Sequence, residues 1–263
     1  MPHTIRPENK KNLPSFCKLV APLQDLLKSM APLRSKGNRP LQMEFEDQLN
    51  ALIYFHLEEH TSGRHLLQVL KEDSFARDVI APPGGIEKSA FFEAINSRGL
   101  EQLMYLFEEL QIKAARVLPS SHTALGDLVA IDGSLIDACL SMYWADYRKG
   151  SKKAKIHLGF DINRSIPRKI FLTNGKGDER PFVSKILSPG QTGVMDRYYQ
   201  CHKSFDVWHR EEKHYVSRIK ANTTKTLIKA NEINPGSIVF YDAIVVLGTP
   251  GVNQTEEPVR LVG

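Results

Sequence analysis

Through the first 118 residues, apolar positions recur at helical spacing. The stretches FCKLVAPLQDLLKSM (16–30), LQMEFEDQLNALIYFHLEEH (41–60) and LEQLMYLFEELQIKAARVL (100–118) each predict an amphipathic helix. In the second, Leu49, Leu52, Ile53 and Phe55 share a side; in the third, Leu103, Leu106, Phe107 and Leu110 do. TSGRHLLQVLKEDSF opens on Thr61-Ser62, good N-cap residues. APPGG (81–85) is a turn, and the helix expected over IEKSAFFEAINSRG stops at Gly99. Helix, turn and helix over 66–98 could form a helix-turn-helix, but only Lys88 and Arg98 offer positive charge there, so a plain bundle is the simpler reading.

The period changes after PSSHTALGD (119–127), which reads as a linker. LVAIDGSLI predicts a strand; AKIHLGFDI and PRKIFLTNG predict a hairpin turning at NRSI. A short helix (DERPFVSKIL), a brief strand (GVMDRYY), a helix capped by Ser204 (SFDVWHREEK) and a strand (HYVSRIKAN) follow. This order predicts an α/β fold, a mixed sheet with helices around it, behind a helical N-terminal region. The boundaries expected are 1–120 and 124–263.

Two acids interrupt this apolar pattern. The first strand is expected to end on Asp132, and Asp196 closes the apolar part of the fourth. First and fourth strands are neighbours if the second and third form an outward hairpin. The carboxylates then lie within reach of each other and repel unless a cation neutralises them. Mg2+ and Mn2+ suit an oxygen-only donor set, and phosphodiester cleavage or transfer uses such a pair. The plainer alternatives are a turn at Asp132-Gly133 and a surface ion pair between Asp196 and Arg197.

Charge favours a polyanionic partner. Residues 147–230 hold 19 Lys and Arg against 7 Asp and Glu, whereas residues 1–146 hold 15 against 19. Such asymmetry points to nucleic acid. The densest run, Arg148, Lys149, Lys152, Lys153 and Lys155, is a candidate for phosphate contact. Trp144, Tyr147, Tyr198, Tyr199 and Trp208 lie among the basic residues and could stack on bases, although Trp208, at helical spacing from Phe205, suits a core better. No apolar stretch is long enough for a membrane span, and the polar N-terminus predicts no signal peptide. Three scattered cysteines, Cys17, Cys139 and Cys201, predict reduced thiols and a cytoplasmic protein.

AIDGSLIDACLSMYWADYRKGSKKAKIHLGFDINRSIPRKIFLTNGKGDERPFV and SPGQTGVMDRYYQCHKSFDVW together resemble the DDE transposases of bacterial insertion sequences, in particular the insertion-sequence-four group. The resemblance runs through most of 123–263. It implies an RNase H-like catalytic domain, Mg2+ or Mn2+ as cofactor, and cleavage and transfer of DNA strands at terminal inverted repeats. Bacterial, nucleoid-associated localisation goes with it. By position it makes Asp132 and Asp196 the first two metal-binding acids and sets Arg197 and Tyr198 on the DNA backbone. The helical region would bind the element's ends, and the chain would self-associate or pair with intact transposase. One departure matters. The family's third acid is a Glu on a late helix, in a Tyr-Arg-Glu-Lys signature after a strand-rich insertion. SIVFYDAIVVLGTPG looks like the start of that insertion, and Glu256 and Glu257, beside Pro258, suit a loop. The expectation is therefore a C-terminally truncated transposase that lacks the third acid and is inactive. The alternatives are a DNA-binding fragment that interferes with intact transposase and a metal-dependent nuclease of the same fold.

Other motifs are weaker. HLEEH (56–60) spaces His56 and His60 as a zinc hydrolase would, without an evident third ligand. The Asp-x-Asp-Gly-Thr phosphatase loop needs an acid at position 130, which is Ala. GKGDER (175–180) lacks phosphate-loop spacing and reads as a turn.

Overall fold

Helices form where the apolar stripes predict them, with ends set by local capping. A computed structural model describes residues 13–34, 40–138 and 142–263; Cys139 lies outside them. The chain divides into two units, Met1–Arg116 and Val117–Gly263. The first contains α1 (Leu13–Val20), α2 (Gln24–Ser29), α3 (Phe45–Leu57), α4 (Gly63–Glu72), α5 (Lys88–Ser97) and α6, which runs Leu100–Val117. Helix α3 starts at Phe45 because Glu44 and Asp47 cap each other's backbone N–H groups in a reciprocal box. Ser62 caps α4 by accepting from the His65 N–H at 3.2 Å. Met43, Leu66, Ile80, Ala94 and Leu106 form the buried centre. Between α4 and α5 lie residues 73–87, including a π-helical turn at Ala76–Ile80. A helix-turn-helix joins its helices through about 3–4 residues, so this connection is too long for one.

His60 is buried in this unit, its two ring nitrogens lack hydrogen-bond partners, and its ring lies 4.9 Å from that of His65. Burial, then the neighbouring His65, lowers its pKa. The folded state therefore binds fewer protons than the unfolded one, and stability rises with pH. We expect the His60 contribution to be complete above the ordinary value of 6.5 and to fade as pH falls below it. Chemical denaturation between pH 8 and pH 5 checks this; His60→Phe should flatten the dependence. Among the described residues no cluster of three or more His, Cys, Asp or Glu could hold a metal, so His56 and His60 gain no third ligand there.

The second unit is built on a mixed sheet. Its strands are β1 (Leu128–Asp137), β2 (Asp146–Arg148), β3 (Ser151–Asp161), β4 (Ile166–Asn174), β5 (Thr192–Met195) and β6 (His214–Ser217). The spatial order is β4-β3-β1-β5-β6, with the short β2 also on β3. The β3–β4 hairpin lies antiparallel and outward, while β5 and β6 run parallel to β1. This is the RNase H-like arrangement expected. Helices α7 (Arg180–Ile186) and α8 (His202–Arg210) cover one face. Val129 and Ile131 of β1 bury against Val183, Ile186, Phe205 and Trp208 there. The Phe205 and Trp208 rings sit 5.5 Å apart, so Trp208 belongs to the core. A second sheet, β7 (Lys225–Ala230), β8 (Asp242–Leu247) and β9 (Val259–Val262), adds Val245 and Leu247 to the same core.

Several boundaries differ from expectation. Helix α8 begins at His202, with Cys201 rather than Ser204 as its N-cap. Strand β5 stops at Met195, because the Asp196 carboxylate accepts the Tyr198 N–H at 2.9 Å and starts a 3-10 turn over Arg197–Tyr199. Strand β1 does not end on Asp132 but continues five residues to Asp137, held by the long β3. Neither is Asp132-Gly133 a turn.

Candidate metal centre

Asp132 sits in mid-strand where its parallel neighbour gives out. The β1–β5 register pairs Leu128 with Thr192, Val129 with Gly193 and Ala130 with Val194. The ladder ends there; continued two residues, it would set Asp132 opposite Asp196, whose backbone is still extended (φ −82°, ψ 176°). Adjacent strands lie roughly 5 Å apart, and residues in register project to the same face. Both acids are exposed. They share the sheet face opposite α7 and α8, where Ile136, Leu172 and Val216 are also exposed. Among the described residues no Lys, Arg or His forms an ion pair with either acid. Arg197 thus does not neutralise Asp196. The donors are oxygens only and open to water, which fits a hard divalent cation. No third carboxylate or imidazole joins them among the described residues.

Directly behind this pair, on the helical face, is a second charged group that sequence reasoning passed over. A Cβ on Gly133 would lie 2.3 Å from the Glu179 carboxyl carbon, so glycine is needed where that carboxylate presses against β1. Lys155 reaches Glu179 at 3.0 Å and donates to the Gly177 carbonyl at 2.9 Å; both charged side chains are almost wholly buried. The buried Tyr199 is also near enough to Glu179 to feel its charge. Burial first, and then the Glu179 charge, raise the Tyr199 pKa far above that of a free phenol. His157, opposite Gly133 in register, stacks on Phe182 at 3.9 Å and meets the Thr173 hydroxyl at 2.8 Å. Burial lowers its pKa, against the pull of Glu179. GKGDER contained the Glu of this cluster, but nothing local to that turn marks its partners; Lys155 is 24 residues earlier and Tyr199 is 20 later.

The basic run is largely matched by its own acids. Lys152 lies 3.8 Å from Asp146, and Lys153 pairs with Asp137. Lys155 points inward to Glu179 rather than out to solvent. Arg148 lies over the Tyr147 ring at 4.8 Å, and Lys149 is in the exposed turn completed by Gly150 (φ +75°). By contrast, Arg197 and Lys220 line a cleft with Asp196, Tyr198 and Asn222, and neither forms an ion pair among the described residues. Gln200 fixes that loop: its carbonyl accepts the Lys220 N–H at 2.6 Å and its amide donates to the Thr223 hydroxyl at 2.8 Å. Tyr198 is half exposed beside the cleft, whereas Tyr199 is buried. Glu256 is in a loop and pairs with Arg210 of α8 at 2.7 Å.

Two comparisons with known proteins give matches. Residues 123–244 match the family model described as the transposase DDE domain. Among solved structures, the chain is similar to the piggyBac transposase in a synaptic complex with hairpin DNA, at 10% identity and a TM-score of 0.40. That similarity covers 87% of this chain and 54% of the other, so the chain spans about half the length of that transposase. No curated protein gives a match. Residues 123–244 of the sheet unit are thus similar to the transposase DDE domain.

Proposed function

We propose that this chain is a DNA transposase of the insertion-sequence-four type, in which Asp132 and Asp196 hold Mg2+ or Mn2+ at the DNA strand to be cut. What supports this reading is the register: Ala130 pairs with Val194, and the exposed Asp132 and Asp196 each follow two residues on, neither in an ion pair with a described Lys, Arg or His. Like charges this close raise each other's cost unless a cation is shared. A divalent ion bound there supplies Lewis-acid stabilisation of phosphate charge and an activated oxygen nucleophile. The protein's own part is positional. Arg197 and Lys220 offer donors to backbone phosphates beside Asp196, and Tyr198 offers an exposed ring to a base. The third carboxylate of the family pattern has no counterpart beside the pair among the described residues. On this reading the chain binds terminal-repeat DNA and, without a third acid beside the pair, does not cut it.

Incubation with Mn2+ and DNA bearing the terminal inverted repeat should give a shifted complex and no nick. Nicking that Asp132→Ala abolishes would contradict the inactive reading and favour a working transposase or a nuclease. Binding should depend steeply on salt. Arg197→Ala and Lys220→Ala should each weaken it evenly across sequences and reduce the salt slope by about 1. Lys153→Ala should change it less, because Asp137 already partners that ammonium. Fluorescence anisotropy over a salt series distinguishes these outcomes.

A further inference from the structure

A chain of hydrogen bonds runs from the loop after β8 to the loop that carries Lys220, and His202 is its middle member. His202, half-buried at the start of α8, places Nδ1 2.6 Å from the Asn253 carbonyl. A carbonyl only accepts, so Nδ1 carries the proton and Nε2 is bare in the neutral ring. Nε2 then accepts from the Gln200 amide nitrogen at 3.3 Å. That nitrogen also donates to the Thr223 hydroxyl at 2.8 Å, and the Gln200 carbonyl is left to the Lys220 N–H at 2.6 Å. Gln200 is buried, so water does not readily replace these partners. The ring's seat is tight. Gly248, at φ +99°, would set a Cβ 2.7 Å from Nδ1, so glycine is needed there.

We propose that His202 is a positioning residue that sets the Gln200 amide and, through it, holds the Lys220 loop in the cleft beside Asp196 and Arg197, where Lys220 meets DNA phosphate. Neutral His202 selects the one amide orientation that offers the Lys220 N–H an acceptor. A second proton on His202 would put an N–H opposite the Gln200 NH2, two donors face to face. Turning the amide over relieves that contact, but an NH2 then faces the Lys220 N–H and the loop loses its anchor. The other titratable groups around the ring are few. Cys201, Lys203 and Asp206 lie on or beside its own helix, the turn before it adds Arg197, Tyr198 and Tyr199, and the 248–253 loop has none. Asp206 accepts the Glu256 N–H at 2.9 Å, and among the described residues no acid forms an ion pair with His202.

The use of that position for DNA rests on the proposed phosphate contact, but the relay itself is measurable without DNA or metal. In the full chain, NMR follows the His202 ring as it titrates, and hydrogen exchange gives the protection factor of the Lys220 N–H over the same pH series. Protection should fall roughly fivefold as His202 gains its second proton, about the worth of one hydrogen bond. Amides of the β1–β5 ladder should keep theirs. Affinity for terminal-repeat DNA should fall by a similar factor, the reverse of what an added positive charge does by itself. His202→Gln, whose side-chain carbonyl can accept from Gln200 at every pH, should keep the Lys220 N–H protected and lose both pH steps. Unchanged Lys220 protection across the His202 titration, or the same fall in His202→Gln, would overturn the proposal. Protection that falls without loss of DNA affinity would instead overturn the phosphate contact of Lys220 and leave the relay standing.

Discussion

Lys155→Met alone should lower the stability of the sheet unit by about 3–5 kcal/mol, because it strips the partner from a buried carboxylate. For a unit of this size, a loss of that order lowers the melting temperature by on the order of 10 °C. The cause is specific. Lys155 and Glu179 are both almost wholly buried, and the ammonium also satisfies the Gly177 carbonyl. Removing one charge leaves the other with its desolvation cost and no Coulombic return. Adding Glu179→Met to Lys155→Met should recover most of the stability, since an apolar pair of similar volume is often neutral or better. Thermal unfolding of the parent, the two single variants and the double variant gives the coupling directly. A Lys155→Met protein as stable as the parent would mean that Glu179 does not carry a buried charge in the fold.

Mn2+ should stabilise the parent protein and leave Asp132→Asn unmoved. Without metal, two exposed carboxylates opposite each other cost folding energy, so neutralising one should be neutral or mildly favourable. With metal, the sign reverses. An ion that binds only the folded state adds about 2.7 kcal/mol at a free concentration 100 times its Kd. Asp196→Asn should lose that gain too, and it also weakens acceptance of the Tyr198 N–H at the start of the turn. Asp137→Asn, on the same strand but on the opposite face and paired with Lys153, is the matched control and should keep the gain. Melting curves with and without Mn2+ read all four proteins.

Much of this was legible in the residue pattern, for reasons that also mark its limit. The change from helical to alternating period located the sheet strands, and the outward hairpin placed β1 beside β5. What local pattern could not reveal was where β1 stops. The polar residues after Asp132 look like a strand end, but pairing with β3 carries the strand on to Asp137. Lys155 shows the same limit. In a run of lysines it reads as surface, yet strand alternation turns it inward, to a Glu far along the chain. Of the two cations beside Asp196, Lys220 was likewise hidden. Lys220 belongs to a loop that Gln200 holds beside the acid, and only tertiary contacts reveal that.

The central claim is that Asp132 and Asp196 form one divalent-cation site. Electron paramagnetic resonance of free Mn2+ during titration into the full chain tests it without any DNA or activity. The account predicts saturable binding to the parent that disappears in both Asp132→Asn and Asp196→Asn and persists in Asp137→Asn. Binding that survives the loss of either acid, or a parent protein that takes up no Mn2+, would contradict it.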